Sequence, residues 1–101
     1  MFPLPKQDLP AHFTALANPT RLRILVRLAD LGEESVSDLA LFLRMSQPRI
    51  SWHLRILRLG GAVQQRREGR QIFFSLDRDE IVRRQEELRR LLNTSKTEVG
   101  K

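Results

Sequence analysis

The chain contains no cysteine. Disulfides, thiolate metal sites and cysteine-based redox sensing are therefore excluded. Histidine is almost as scarce: His12 and His53 are the only two, far apart in sequence, and neither has a second imidazole at ligand spacing. No apolar run approaches the ~20 residues that cross a bilayer, so no membrane partner is expected. The opening Met1-Phe2-Pro3-Leu4-Pro5 lacks the charged and apolar regions of a secretory signal, which points to a cytoplasmic location. There is no paired-carboxylate cleft, no Ser-His-Asp arrangement and no phosphate-cradling glycine loop, so catalysis is not expected. Internal repeats and low-complexity tracts are also absent.

What is present is an ordinary globular composition. The 101 residues are 41% apolar and 30% charged, enough for one domain with a modest core that an oligomer would help to stabilise. The informative feature is where the charge lies. Between Arg44 and Phe74 stand seven arginines (44, 49, 55, 58, 66, 67 and 70) and one acid, Glu68, a local +6 that equals the net charge of the whole chain. The rest of the chain balances. An excess confined to under a third of the sequence is the footprint of a surface built for phosphates.

Residues 1–8 hold two prolines and read as an arm, 9–92 as the domain, and 93–101 as a polar, flexible tail. Leu9, Phe13 and Leu16 fall at helical spacing. Asn18 suits a helix N-cap and Pro19 the first helical position. The helix that follows, 19–29, carries Leu22, Leu25, Val26 and Ala29 on one side and Ile24 and Leu28 on the other. Two apolar sides predict a central helix buried on both. Ser37 opens a short helix, 38–44, with Leu39, Ala40 and Leu43 inward. Met45-Ser46 makes a turn, Ser46 caps a helix over 47–59 in which Pro48 is tolerated in the first turn, and Gly60-Gly61 ends it. Segments 62–67 and 70–76 flank Glu68-Gly69, a hairpin signal. Asp77 and Glu80 resemble a capping box before a helix over 78–92 with a narrow stripe of Ile81, Leu88 and Leu92. The order is α-α-α-α-β-β-α, mainly α with a β-hairpin wing: a winged helix-turn-helix.

In such an arrangement the second helix of the turn enters the major groove. On a helical wheel Ile50, Leu54 and Leu57 face inward with His53 at their edge, while Pro48, Ser51, Trp52 and Arg55 face outward and Gln47 sits at the exposed N-terminal end. Gln pairs bidentately with adenine, Arg with guanine, and Ser with either donors or acceptors. Arg49 and Arg58 flank this face at phosphate positions. Arg66, Arg67 and Arg70 near the hairpin tip are placed to follow the backbone or enter the minor groove.

Plainer readings stand beside these. Helix arginines are often just a solvated face. Trp52 could be core, although it opposes Ile50. His53 fits structural packing or a backbone hydrogen bond as well as phosphate contact. His12 reads as a surface or interface residue. Of Phe73 and Phe74, alternating in a strand, one should be core and the other an edge or interface residue, with single-strand stacking a weaker reading.

Three separated blocks are similar to the ArsR/SmtB family of bacterial winged-helix repressors: Ala15-Leu16-Ala17-Asn18-Pro19-Thr20-Arg21-Leu22-Arg23-Ile24-Leu25; Ser46-Gln47-Pro48 with Ser51-Trp52-His53-Leu54; and the wing Arg66-Arg67-Glu68-Gly69-Arg70. The resemblance covers roughly residues 9–77. It implies a homodimer joined through the first and last helices, operator binding by the recognition helix and wing, and release on binding an inducer. The interface candidates are Leu9, Phe13, Leu16, Ile81, Leu88 and Leu92, and a two-fold pair of recognition helices suits an inverted repeat in double-stranded DNA.

The departures from the family matter as much. Metal-sensing members often carry Cys-Val-Cys where this chain has Ser35-Val36-Ser37, and a serine hydroxyl is a poor ligand for soft ions. Zinc-sensing members use Asp and His on the last helix, which here has no histidine; Asp79, Glu80, Glu86 and Glu87 are interleaved with arginines. The expectation is a metal-independent, cofactor-free repressor that binds a palindromic operator as a homodimer, its inducer, if any, a small organic molecule. The alternative is a winged-helix protein-interaction module without sequence-specific DNA binding.

Overall fold

Helix starts fall where capping side chains stand. The Asn18 side chain accepts from the Arg21 amide at 3.0 Å, Ser35 Oγ from Asp38 at 3.1 Å, Ser46 Oγ from Arg49 at 3.3 Å and Asp77 Oδ1 from Glu80 at 3.2 Å. Each supplies an acceptor to an amide that has no partner inside its own helix. A computed structural model describes residues 8–99; 1–7, which make up most of the expected arm, and 100–101 lie outside the described residues. The elements are α1 (Asp8–Leu16), α2 (Pro19–Leu31), β1 (Glu34–Ser35), α3 (Val36–Leu43), α4 (Gln47–Leu59), β2 (Val63–Glu68), β3 (Gln71–Leu76) and α5 (Arg78–Val99). No helix among the described residues is long and apolar enough to cross a membrane.

The expected winged helix-turn-helix is present, with three differences. A short strand, β1, pairs antiparallel with β3, so the sheet has three strands in the order β1-β3-β2. Two residues are too few to show an alternating pattern in sequence. The hairpin turn lies at Gly69-Arg70, with Glu68 still paired to Gln71, and Gly69 takes the left-handed φ of +62°. Finally, α5 continues through 93–99, where a frayed tail was expected.

The core is built from α2, α3, α4 and the sheet: Ile24, Leu28, Leu39, Leu43, Ile50, Leu54, Leu57, Val63 and Phe74 are buried together. Leu39, Ala40 and Leu43 point inward as expected, and Phe74 is the core member of its pair while Phe73 is half-buried. The expectation that α2 is buried on both sides fails. Ile24 and Leu28 are buried, but Leu22 and Val26 are 48% and 68% exposed, because no second layer among the described residues covers that side. They border an open cavity of about 350 Å³ with Phe42 of α3. Arg27 lies over the Phe42 ring at 3.9 Å and pairs with Glu34 at 3.1 Å.

His12, expected at a surface, is fully buried. Its Nδ1 donates to the Gly60 carbonyl at 2.8 Å, and its Nε2 lies 3.4 Å from the Gln85 side-chain nitrogen. It therefore ties α1 to the end of α4 and to α5. Gly61, with φ +73°, is the left-handed residue that ends α4. On α5 only half of the expected capping box forms. Glu80 does not reach back to Asp77 but pairs with Arg83 and Arg84, which hold its carboxyl down at about 2. With Arg89–Glu86 and Arg90–Glu87, three acids of this helix, Glu80, Glu86 and Glu87, are engaged by arginines three or four residues away.

Candidate nucleic-acid interface

Helices α3 and α4 meet at a tight turn in which Arg44 takes a left-handed φ of 56°. The turn delivers Ser46 to cap α4 and leaves the first turn of α4 open to solvent. Gln47, Pro48, Arg49, Ser51, Trp52 and Arg55 are all exposed, Trp52 by 57%. The opposite face, Ile50, Leu54 and Leu57, is buried. The helical wheel thus sorts the two faces as the sequence predicts.

His53 is a correction. It is only 5% exposed, so it does not belong with the outward contact residues. Its Nδ1 accepts from Arg21 Nη1 at 3.2 Å, and its ring meets Trp52 edge-on at 5.0 Å. Burial first, then the charges of Arg21 and Arg49, lower its pKa and favour the neutral imidazole. Arg21, which the sequence offers only as one more helix arginine, is itself buried. Its Nε donates to the Ala15 carbonyl at 2.8 Å and its Nη2 to that of Thr14 at 3.1 Å. Those carbonyls close the C-terminal end of α1, where a cation is favourable. The guanidinium also lies 5.8 Å from the Trp52 ring centroid. Arg21 and His53 thus form a buried pad under the outward Trp52. A hint of this lies in the sequence, since Arg21 comes three residues after a capping Asn, on the side of Ile24 and Leu28.

The wing brings Arg67 and Arg70 to the same side of the molecule as α4. Arg70 and Ile72 border a cleft of about 340 Å³ together with Gln47 and Ser51. Ser35 and Ser37 also border it, their hydroxyls 3.2 Å apart. Arg66 is a second correction. It is not a free cation for phosphate, because Glu33 and Glu68 both hold it. Glu33 lies outside the basic window, so the charge excess is smaller than the sequence count suggests. Arg44, Arg49, Arg55, Arg58, Arg67 and Arg70 carry no ion pair among the described residues. No group of three or more metal-capable side chains occurs among the described residues.

The expected interface residues divide. Leu9 is 5% exposed and belongs to its own protomer's interior, a correction to its placement in an intersubunit contact. Leu16 and Ile81 pack against the core as half-buried residues. Phe13 at 37% and Leu92 at 60% are exposed, and Leu88 is half-buried.

Comparison with known proteins agrees with this geometry. Residues 18–64 match the bacterial regulatory protein, arsR family. The arsenical resistance operon repressor of Escherichia coli (strain K12) is 44% identical over 64 residues, 63% of this chain and 55% of that protein, so the chain spans little more than half of that relative. The biofilm growth-associated repressor of Agrobacterium fabrum (strain C58) is 41% identical over 86 residues, covering 80% of this chain and 73% of that protein. Among solved structures, an ArsR-like transcriptional regulator from Rhodococcus sp. RHA1 superposes with a TM-score of 0.78 at 29% identity, covering 93% of this chain and 88% of the other. The homodimeric winged helix-turn-helix DNA-binding domain from Mycobacterium bovis, solved by solution NMR, gives 0.69 at 30% identity, covering 86% and 80%. The fold is that of winged helix-turn-helix transcriptional regulators. The chain belongs to the arsR family of bacterial regulatory proteins.

Proposed function

We propose that the protein is a metal-independent transcriptional repressor of the cytoplasm that binds a palindromic operator as a homodimer. The observation that carries this reading is the outward face of α4. Gln47, Ser51, Trp52 and Arg55 stand exposed on a well-packed helix, bordered by arginines without acid partners among the described residues. Gln47, Ser51 and Arg55 are the base-reading residues, Trp52 contacts thymine methyls or sugar, and Pro48 shapes the entry. Arg49, Arg67 and Arg70 take phosphates.

Dimerisation uses the exposed stripe of α1 and α5, with Phe13, Leu88 and Leu92 at its centre. The homodimeric state of the Mycobacterium bovis neighbour supports this arrangement. Metal independence rests on donor chemistry. The Ser35 hydroxyl caps α3, and Glu80, Glu86 and Glu87 of α5 are engaged by arginines. Any inducer is then a small organic molecule.

The test is a titration of an operator fragment at several salt concentrations. For ~8 phosphate contacts per dimer, log affinity falls against log salt with a slope near −7. A flat response overturns the proposal. The exposed apolar strip of Leu22, Val26 and Phe42 favours the alternative of a protein-interaction module. Under that alternative the protein shows no preference for an operator over a scrambled duplex.

A further inference from the structure

Arg66 and Arg67 are adjacent in sequence but lie on opposite faces of the wing. In the β2–β3 register Arg66 faces Phe73 and Arg67 faces Ile72. Side chains alternate along a strand, so Arg67 and Ile72 share the face that carries buried Phe74 into the core and borders α4. Arg66 shares the outer face with Phe73 and Glu68. On that face it is held at three points: Nε donates to Glu33 Oε2 at 3.0 Å, Nη2 to Glu33 Oε1 at 2.8 Å, and Nη1 to Glu68 Oε2 at 2.8 Å. Its guanidinium carbon lies 4.9 Å from the Phe73 ring centroid.

Glu33 directly precedes β1, which flanks β3 on the side opposite β2. One arginine therefore spans all three strands, from β2 across Phe73 of β3 to the entrance of β1. Two carboxylates around one guanidinium give this cluster a net charge of −1, which repels a phosphate rather than binding it. An exposed ion pair adds little stability by itself. A forked, two-bond pair stacked on a ring, however, fixes direction, which is what a two-stranded wing needs in order to present its tip at one angle.

Building on the DNA-binding reading above, we infer that Arg66 is a positioning residue: anchored by Glu33, it sets the wing's angle to the body of the protein and leaves phosphate contact to Arg67 and Arg70.

The test compares operator affinity and its salt dependence for E33Q, R66Q, the double variant and R67Q, all on the full chain. Removing an acid near DNA ordinarily tightens binding, whereas the anchor requires E33Q to weaken it. E33Q and R66Q should each lower affinity about five-fold, two wings per dimer compounding a modest pairwise effect. The double variant should fall no further than the worse single, because both remove the same link. Neither single variant should change the salt slope, while R67Q should reduce it by about 0.9 per protomer. Without DNA, amide hydrogen exchange at 64–72 should quicken in E33Q and in R66Q alike. The inference is overturned if R66Q lowers the salt slope as R67Q does, or if E33Q binds as well as or better than the parent chain. A parent chain that binds no duplex at any salt concentration overturns the DNA-binding reading itself, a result distinct from either of these.

Discussion

The imidazole of His12 and the carbonyl of Gly60 are joined by a 2.8 Å hydrogen bond that closes α1 onto the end of α4 across 48 positions of sequence. The glycine is required at that point for space. A Cβ on Gly60 would stand 2.6 Å from Ala15 Cβ and 2.8 Å from the Ala11 carbonyl. The recognition helix therefore ends in a socket formed by α1.

Removing the imidazole should be costly. His12→Ala leaves a buried carbonyl without its donor and opens a void, and the expected loss is about 2–4 kcal/mol of unfolding free energy. Urea denaturation at matched protein concentration should show a lower midpoint with an unchanged m-value. An effect under about 0.5 kcal/mol would contradict the socket.

Filling the socket should also destabilise. Gly60→Ala is conformationally acceptable at φ −80°, so its cost, about 1–3 kcal/mol, is steric. The companion change Ala15→Gly removes the nearest clashing carbon and should recover part of it. Thermal melts of the two single variants and the double variant measure the coupling.

These two residues show what the sequence could and could not reveal. The bounds of α4 were legible because Ser46 and Gly60-Gly61 act through local backbone chemistry, and its two faces because Ile50, Leu54 and Leu57 keep a helical period. The burial of His12 was not, because it depends on Gly60 and Gln85, far away in the chain. Arg21 looks like any solvated helix arginine until α1 turns back and offers it the carbonyls of Thr14 and Ala15. The apolar side of α2 misled in the opposite sense: Leu22 and Val26 have the period of a buried face, yet nothing among the described residues covers them. The wing was legible as a hairpin, but its two faces were not, since pairing Arg66 with Phe73 rather than Ile72 depends on a register that the turn sets within one residue.

His53 makes stability depend on pH. Burial, Arg21 and Arg49 lower its pKa from 6.5, so the fold holds it neutral while the unfolded chain protonates it near that pH. The unfolded state then binds more protons below about pH 6.5, and stability falls as pH drops through the folded pKa, staying flat on this account above 6.5. Urea midpoints from pH 5 to 8 should show the slope for the parent chain, and His53→Gln should flatten it whatever its overall stability.

The apolar residues of α1 and α5 should separate into two phenotypes. Leu9→Ala removes an interior side chain and should cost about 2–4 kcal/mol of folding stability. Leu92→Glu places a charge on an exposed position and should leave the protomer fold intact by circular dichroism while shifting sedimentation toward the monomer. If Leu92→Glu leaves the sedimentation profile unchanged, α5 is not part of the subunit contact.

Base reading and backbone binding should also separate. Arg55→Ala should cost about 1–3 kcal/mol on the preferred operator and relax preference at one position in each half-site. Arg67→Ala should weaken preferred and scrambled duplexes equally. Competition between the two duplexes, for each variant, distinguishes these outcomes.

The pad of Arg21 and His53 limits how this regulator could be retargeted. Exchanging Gln47, Ser51 and Arg55 alters the solvent side alone, whereas Trp52 also rests on His53 and Arg21, so under the proposed reading new operator preferences should be sought through those three positions. Transplanting all of α4 from a donor without an imidazole at position 53 would remove Arg21's side-chain partner and leave a buried cation held by carbonyls alone. Engineered specificity in this chain should therefore be written onto the helix one side chain at a time.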